Sequence, residues 1–471
     1  GNTFALVGVS PGGGVLDPNN RDVSASLPFV LAPDNGKVFT SDNLAAVIWL
    51  TEQAWQLQRS VRVDSITNFQ YSRAEQDDLI VRDLVEHPAE LTQSDLDRLE
   101  AIALSEPVLV HALISEQAHV TSVNVRVELP DDSREQSTVV PELMADVYEL
   151  RDAFVERYPH FDVYLMGQVV VNESFNEAAA QDTSTLVPLM FLAVIVLLTL
   201  FMRSLSTTLA TIVIILVSIA ATMGVSGWLG FQVNQVNVSA PIIILTLAVS
   251  DCVHVLVSYL KDLRRGLDKP AAMEHALAIN IKPVFLTSIT TAIGFFSLNF
   301  SDSPPFRELG TSVGFGVLGA MLWSLVLLPG VMLLLPIRVR TTAEDPDRNG
   351  AMLKLANLII ARHRLIFWGV LAVAAVLICF VPRNEFNDDT VEYFDESLSI
   401  RQAFDFVQDN LTGVDSIAYS LPAGEENGIV DPQYLHAVEA FANWYRQQPE
   451  VTHVSTFTDV VKRLNRNMHG D

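Results

Sequence analysis

Five stretches of this chain carry no charged side chain over lengths that fit a bilayer better than a soluble core. They run 183–202, 204–250, 283–301, 309–337 and 365–382. About 20 consecutive apolar residues cross the hydrocarbon region as a helix. The second stretch is too long for one crossing, and the polar segment 230–237 (GFQVNQVN) is its natural break. Six spans follow: 184–202, 206–229, 238–260, 284–300, 309–335 and 364–381.

Charge divides the chain the same way. The 471 residues carry a formal charge of −25, yet the mean hydropathy is +0.30. The acid is concentrated at the two ends. Residues 1–184 hold 30 acidic and 11 basic side chains, and residues 383–471 hold 16 acidic ones. Two acidic soluble regions therefore flank an apolar block. That pattern excludes a single soluble domain, a disordered chain and a basic nucleic-acid binder.

Basic residues orient the spans. With residues 1–183 outside, the inner segments are Arg203, 261–282 and 338–364, which together hold twelve Lys and Arg. The short outer connections, 230–237 and 301–308, hold only Arg307. Such asymmetry marks the cytoplasmic side. Both acidic regions then share the outer compartment, the periplasm of a double-membrane bacterium, and the chain is a multi-pass protein of the inner membrane. The inner segment 269–281 (KPAAMEHALAINI) reads as a short helix lying along the interface. Cys252 and Cys379 both sit in apolar stretches, which excludes a disulfide framework.

The two soluble regions repeat one another. Residues 38–68 and 429–459 align at a constant offset of 391, pairing Leu44 with Leu435, Ala46 with Ala437, Val47 with Val438, Val63 with Val454 and Thr67 with Thr458. Each copy reads as a polar cap, an amphipathic helix and a short strand, preceded by an apolar strand at 27–31 or 417–421. A duplication of this kind predicts a span ahead of residue 1 and five more after residue 471, hence twelve in two parallel halves. The absence of an initiator Met and of a signal pattern fits a processed chain or a fragment. The expected organisation is a first outer domain at 1–183, a five-span bundle at 184–336, an inner linker at 337–363, a sixth span at 364–381 and the start of a second outer domain at 382–471. In the first outer domain, 42–58 and 141–157 have helical periodicity, while 120–129 and 161–166 read as strands. This points to α+β units of the ferredoxin-like sort. Residues 170–182 continue as helix into the first span.

Within the six spans, two side chains titrate in the ordinary range, Asp251 and His254, both in LTLAVSDCVHVLVSYL. A carboxylate at the bilayer centre costs roughly 2.5–3.5 kcal/mol on insertion scales, so such acids are rare and face a pathway or a partner. Spacing i, i+3 puts the pair on one helix face. Asp251 is the candidate proton carrier. His254 is either a relay or a satisfied structural group. Thr287, Ser288, Thr290 and Thr291 form a hydroxyl cluster on the next span. Such hydroxyls mostly bond back to their own helix, but Thr287, Thr290 and Thr291 could line a polar path to Asp251. The glycines at 224, 227, 230, 310, 314, 316 and 319 mark close helix packing. No phosphate-binding GxxxxGK[ST], HExxH or GxSxG occurs. The glycine run at 12–14 reads as a loop, and the outer histidines have no metal-ligand spacing. An enzyme, a cofactor and a metal are all unexpected.

The block 240–335 resembles the resistance–nodulation–division (RND) superfamily, and most closely the MMPL branch of hydrophobe exporters. It is more distantly similar to the sterol-sensing domain of Patched and Niemann–Pick proteins. PIIILTLAVSDCVHVLVSYL, PVFLTSITTAIGFFSLNFSDSPPFRELG and LLPGVMLLLP carry the likeness. VFTSDNLAAVIWLTEQ with VDSITN, and NEAAAQDTSTLVPLMFL, extend it over most of the chain. The resemblance implies twelve spans in two halves and proton-driven export of lipids or other hydrophobic molecules. Substrate would enter from the outer leaflet or compartment and pass through outer porter domains. It implies that Asp251 matches the acid of the fourth span, whose partner lies on the tenth. Many members carry two adjacent acidic or acid–Tyr residues there; here the neighbours are Ser250 and Cys252. Homo-oligomers and a periplasmic carrier are possible partners. A lipid- or sterol-sensing membrane protein and a SecD/SecF-like protein-export accessory are the alternatives.

Overall fold

The computed structural model describes residues 4–11, 24–75, 78–130, 132–231, 233–234, 236–337, 350–384, 390–413, 415–424 and 427–469. The glycine run at 12–14 and residues 338–349 of the expected inner linker lie outside these. The chain divides into two compact units, one of Gly1–Asn176 with Asn387–Asp471, the other of Glu177–Phe386. Residues 387–471, expected to begin a second outer domain, therefore pack in the same unit as the first 176.

The first unit opens with strands β1 (Phe4–Pro11) and β2 (Ser24–Pro33), helix α1 (Ser41–Ala54) and strand β3 (Ser60–Asp64). A hairpin, β4 (Gln70–Glu75) and β5 (Asp78–Asp83), leads to α2 (Gln93–Ser105). Then come β6 (Thr121–Glu128), α3 (Ser133–Arg157) and β7 (Phe161–Leu165). Strands β3, β6, β2 and β7 form an antiparallel sheet in that order. Period-two alternation explains its position. Leu27, Phe29 and Leu31 of β2, with Val123, Val125 and Val127 of β6, are fully buried on one face. They meet Leu44, Val47 and Leu50 of α1 and Leu143, Val147 and Phe154 of α3. Each such aliphatic side chain contributes about 1.5–3 kcal/mol of burial. The start of α1 is fixed by Thr40, whose hydroxyl accepts from the Asn43 N–H at 3.2 Å.

The rest of this unit comes from the far end of the chain: α12 (Ser399–Asn410), β8 (Asp415–Leu421), α13 (Pro432–Tyr445), β9 (Val454–Thr456) and α14 (Phe457–His469). Ala403 and Val407 of α12 cover Val30 on the second face of the antiparallel sheet. Strand β1 lies between β8 and β9, parallel to both. The repeat is visible in hydrogen bonds. Helices α1 and α13 stand 391 residues apart, end to end. In the first copy, the Ser65 N–H donates to Asn68 Oδ1 (2.8 Å) and the Ser65 hydroxyl pairs with that of Thr67 (2.8 Å). In the second, the Thr456 N–H donates to Asp459 Oδ2 (2.9 Å) and its hydroxyl pairs with that of Thr458 (2.6 Å).

The second unit is helical. Its main elements are most of α4 (Gln168–Met202), α5 (Leu205–Trp228), α6 (Ala240–Arg264), α7 (Lys269–Phe296) and α8 (Pro304–Leu322). A π-helical turn, Trp323–Leu327, joins α8 to α9 (Leu328–Leu334). Next come α10 (Gly350–Ala361) and α11 (His363–Ile378). Six helices are long and apolar enough to cross a membrane: Gln168–Met202, Leu205–Trp228, Asn237–Arg264, Lys269–Phe300, Pro304–Leu334 and His363–Arg383. They contain the six expected spans except for residues 229 and 335, the last positions of the second and the fifth. One boundary differs in kind. Residues 269–281 were expected as a separate interfacial helix, but α7 runs unbroken through them into the membrane stretch. Pro270 sits in its first turn, where the missing N–H costs nothing. Pro283 is accommodated inside the helix.

Glycine sets the closest approach in the bundle. A Cβ added at Gly310 would stand 2.5 Å from the Phe295 carbonyl oxygen and 2.7 Å from Leu298 Cβ, whereas one at Gly227 would meet nothing within 4 Å. Gly310→Ala is therefore expected to destabilise the detergent-solubilised protein by about 1–3 kcal/mol, the usual cost of overpacking. Gly227→Ala is expected to be neutral or slightly stabilising. Equal thermal shifts for the two would count against this packing.

Candidate functional site

Helix α6 places Asp251 inside the bundle. Ala248, Cys252, Val255 and Leu256 around it are fully buried, and Asp251 itself is 6% exposed. α6 packs on α5, α7 and α8, so the burial stripe of α6 is wide and the acid lies within it. The carboxylate has one hydrogen-bond partner among the described residues. Ser288 of α7 donates its hydroxyl to Asp251 Oδ2 at 3.3 Å. A lone hydroxyl at that distance leaves the acid weakly compensated, which is costly in a low-dielectric setting.

The other expected site residues lie differently. His254 is exposed at the bundle surface, and its ring makes no hydrogen bond among the described residues. Its carbonyl accepts from the Ser258 hydroxyl at 3.3 Å. Thr287 and Thr290 are exposed and close back onto their own helix, Thr287 on the Pro283 and Val284 carbonyls and Thr290 on those of Leu286 and Thr287. Thr291 is half-buried. Of the hydroxyl cluster, Ser288 is the member that meets the acid.

Two polar features were not singled out in the sequence. The first is a buried hydroxyl stripe on α5: Thr207, Thr211, Ser218, Thr222 and Ser226. The last four donate to the carbonyl four residues earlier, at 2.7–3.0 Å. Ser226 also reaches Ser312 of α8 at 2.8 Å. The near-fourfold spacing could have revealed this stripe. The second is the C-terminal end of α6. Asp262, 4% exposed, holds His275 Nδ1 of α7 at 2.6 Å and lies 3.6 Å from Arg265. Between this pair and Asp251, Asn280 Nδ2 donates to Ser258 Oγ at 2.7 Å. At the opposite end of the helices, Glu308 accepts from Asn234 (2.8 Å) and Asn237 (3.2 Å), tying the α5–α6 connection to the start of α8.

Chemically, the arrangement can hold and release a proton on a buried carboxyl group. Among the described residues no group of three or more His, Cys, Asp or Glu is placed to hold a metal ion.

Comparison with known proteins agrees with this architecture. A protein of Methanocaldococcus jannaschii, named only as a membrane protein, is 22% identical over 176 residues, 37% of this chain. The match spans 45% of that relative's length, less than half of it. The family model for the MMPL family matches residues 27–371, from β2 into the middle of α11. With well over half of its length matched in one run, through the antiparallel sheet and the bundle that buries Asp251, the chain belongs to the MMPL family.

Proposed function

We propose that this chain is part of a proton-driven RND-type exporter, a transporter rather than an enzyme, that moves lipids or other hydrophobic molecules. The observation that carries the reading is Asp251, a carboxylate buried in a membrane helix bundle with a single hydroxyl as partner among the described residues. A purely structural acid in such a place is normally paired with a cation or several donors. A carrier must instead be able to lose and regain its charge as the surrounding helices move.

The reading places the helices in a bacterial inner membrane and the soluble unit in the periplasm. The twelve-to-one bias of basic residues supports that orientation. The strand order β3-β6-β2-β7, with α1 and α3 on one face, supports a ferredoxin-like porter domain. The recurrence of a strand–helix–strand unit at a fixed offset supports a whole protein of two halves and twelve spans, in which further helices cover apolar side chains exposed on the bundle, such as Phe285, Leu286 and Ile293 of α7. Substrate then passes from the outer leaflet through the porter domain, to a carrier or a second copy where the assembly includes one. His254, on the exposed side of α6, is free to meet a group on those further helices.

The test is reconstitution of the full-length protein in proteoliposomes with a fluorescent lipid cargo and an imposed pH gradient. Cargo movement is expected to follow the gradient and to stop when an ionophore collapses it. Lipid binding with no gradient-dependent flux would instead favour the sensor alternative, and crosslinking to a translocating polypeptide the protein-export one.

A further inference from the structure

Helices α6 and α7 are joined by three polar contacts in sequence: Asp251 with Ser288, Ser258 with Asn280, and Asp262 with His275. On α6 these positions are 7 and then 4 residues apart. At 1.5 Å of rise per residue, Asp262 stands about 16 Å from Asp251 along the helix, roughly half the ~30 Å hydrocarbon thickness. If Asp251 lies near mid-membrane, Asp262 lies at the inner interface.

The inner pair is built asymmetrically. The Asp262 side chain is 5% exposed and that of His275 is 53% exposed. One member thus faces the helix contact and the other faces inner water. An ionised carboxylate can only accept, so Nδ1 carries the proton donated to Asp262, and Nε2 keeps a lone pair for exchange. Two more polar atoms lie in the same part of the bundle. Tyr259 Oη and Trp323 Nε1 are buried without a hydrogen-bond partner among the described residues, Tyr259 in one core cluster with Cys252, Val255 and Leu256 and Trp323 packed against it. Buried groups of this kind normally bond to protein or to ordered water.

Few other charges bear on the pair. Helix α5 and the chain from 309 to 337 contain no titratable side chain. The inner end of α4 leads only to Arg203, which is exposed. From α6 and the turn after it come Lys261, Arg264, Arg265 and the exposed Asp268, which precedes the first turn of α7. Arg265 approaches Asp262, while Arg264 donates to the Met202 carbonyl at 3.3 Å. From α7 come His275, the exposed Glu274 and Lys282, and Lys269, which donates to the Leu335 carbonyl at 2.8 Å.

We infer that Asp262 and His275 form an inner proton station that receives the proton given up by Asp251 and passes it to the inner compartment. The inference rests on the reading of Asp251 as carrier. The Asp251 carboxyl O–H bond breaks and leaves a carboxylate. Water bonded to Tyr259 Oη and Trp323 Nε1 accepts that proton and releases one in turn towards the pair, where His275 Nε2 gains it, so an imidazolium faces the Asp262 carboxylate. The imidazolium then loses the Nε2 proton to inner water and the pair resets. One proton taken up outside appears inside, and no electron moves.

The experiment uses the full-length protein in proteoliposomes, measuring gradient-driven lipid flux across a series of inner pH values. His275→Gln keeps a donor for Asp262 but cannot titrate. It is expected to lower flux by roughly a hundredfold, the low end of what a positioned proton-transfer group is worth, and to flatten the dependence on inner pH. Asp262→Asn is expected to do the same, and Asp262→Glu to restore part of the flux. If His275→Gln and Asp262→Asn keep the wild-type flux and pH profile while Asp251→Asn is inactive, the pair is only a structural clasp and the inference is overturned, with the exporter reading intact. If Asp251→Asn is itself active, the carrier reading fails and this inference falls with it.

Discussion

Asp251→Asn is expected to reduce gradient-driven transport to background while leaving membrane insertion and helix packing intact. The amide is nearly the same shape as the carboxylate and can still take the Ser288 hydroxyl bond. It removes the charge, whose burial at mid-membrane costs roughly 2.5–3.5 kcal/mol. The variant is therefore expected to be at least as stable as the parent in detergent. Loss of transport with stability retained or raised separates a proton-carrying role from a packing role, because a packing residue loses both together. Ser288→Ala removes the hydroxyl that donates to the acid and is expected to shift the pH at which transport is half-maximal rather than to abolish it. Wild-type flux in Asp251→Asn, measured under the same gradient, would remove the basis of the proposed function.

The second large effect lies in the unit that holds the sheets. His453 is 9% exposed, and its Nε2 has no hydrogen-bond partner among the described residues. The ring centroid of His111 is 6.4 Å away. Burial, and then the charge of His111, hold the His453 pKa down to about 4 from its ordinary 6.5, with Asp459 pulling the other way. The fold thus keeps this imidazole neutral. Above pH 6.5 neither the folded nor the unfolded chain binds the proton, and stability is at its full value. As the pH falls from 6.5 towards 4, the unfolded chain takes up a proton that the folded one refuses. Stability drops throughout that window, by about 3 kcal/mol in all. Hydrogen exchange of β9 and its neighbours between pH 4 and 7.5 measures this loss. His453→Leu is expected to flatten the slope, since it fills the site without titrating. An unchanged slope in that variant would assign the acid sensitivity to another group.

The membrane helices were legible because charge is costly in a bilayer over the length of a whole span. Uncharged runs such as 309–337 therefore mark spans whatever the details of packing. The repeat was legible because burial fixes apolar residues at the same places in both copies, as in Val47 and Val438. The packing of α12 on the sheet of the first region was not, because Ala403 and Val407 meet Val30 across more than 200 residues of sequence. The acid could be singled out, since Asp251 is a lone carboxylate in an apolar run. Its partner could not, because Thr287, Ser288 and Thr290 are alike in chemistry and only helix rotation separates the buried hydroxyl from the exposed ones. Asp262 was hidden for another reason. Flanked by Lys261, Arg264 and Arg265, it reads as the ordinary charged end of a span, and its burial depends on a continuous α7 that brings His275 alongside it.

That continuity has a mechanical consequence. Helix α7 is 28 residues long, a rod of about 42 Å, and it is bolted to α6 at three points along its length. Sliding one rod past the other by a helical turn breaks all three bolts at once, whereas swinging the two together breaks none. The hairpin of α6 and α7 is thus stiff against shear and free to tilt as a lever. A displacement at the end that carries Asp262 and His275 is transmitted to the level of Asp251 with little loss.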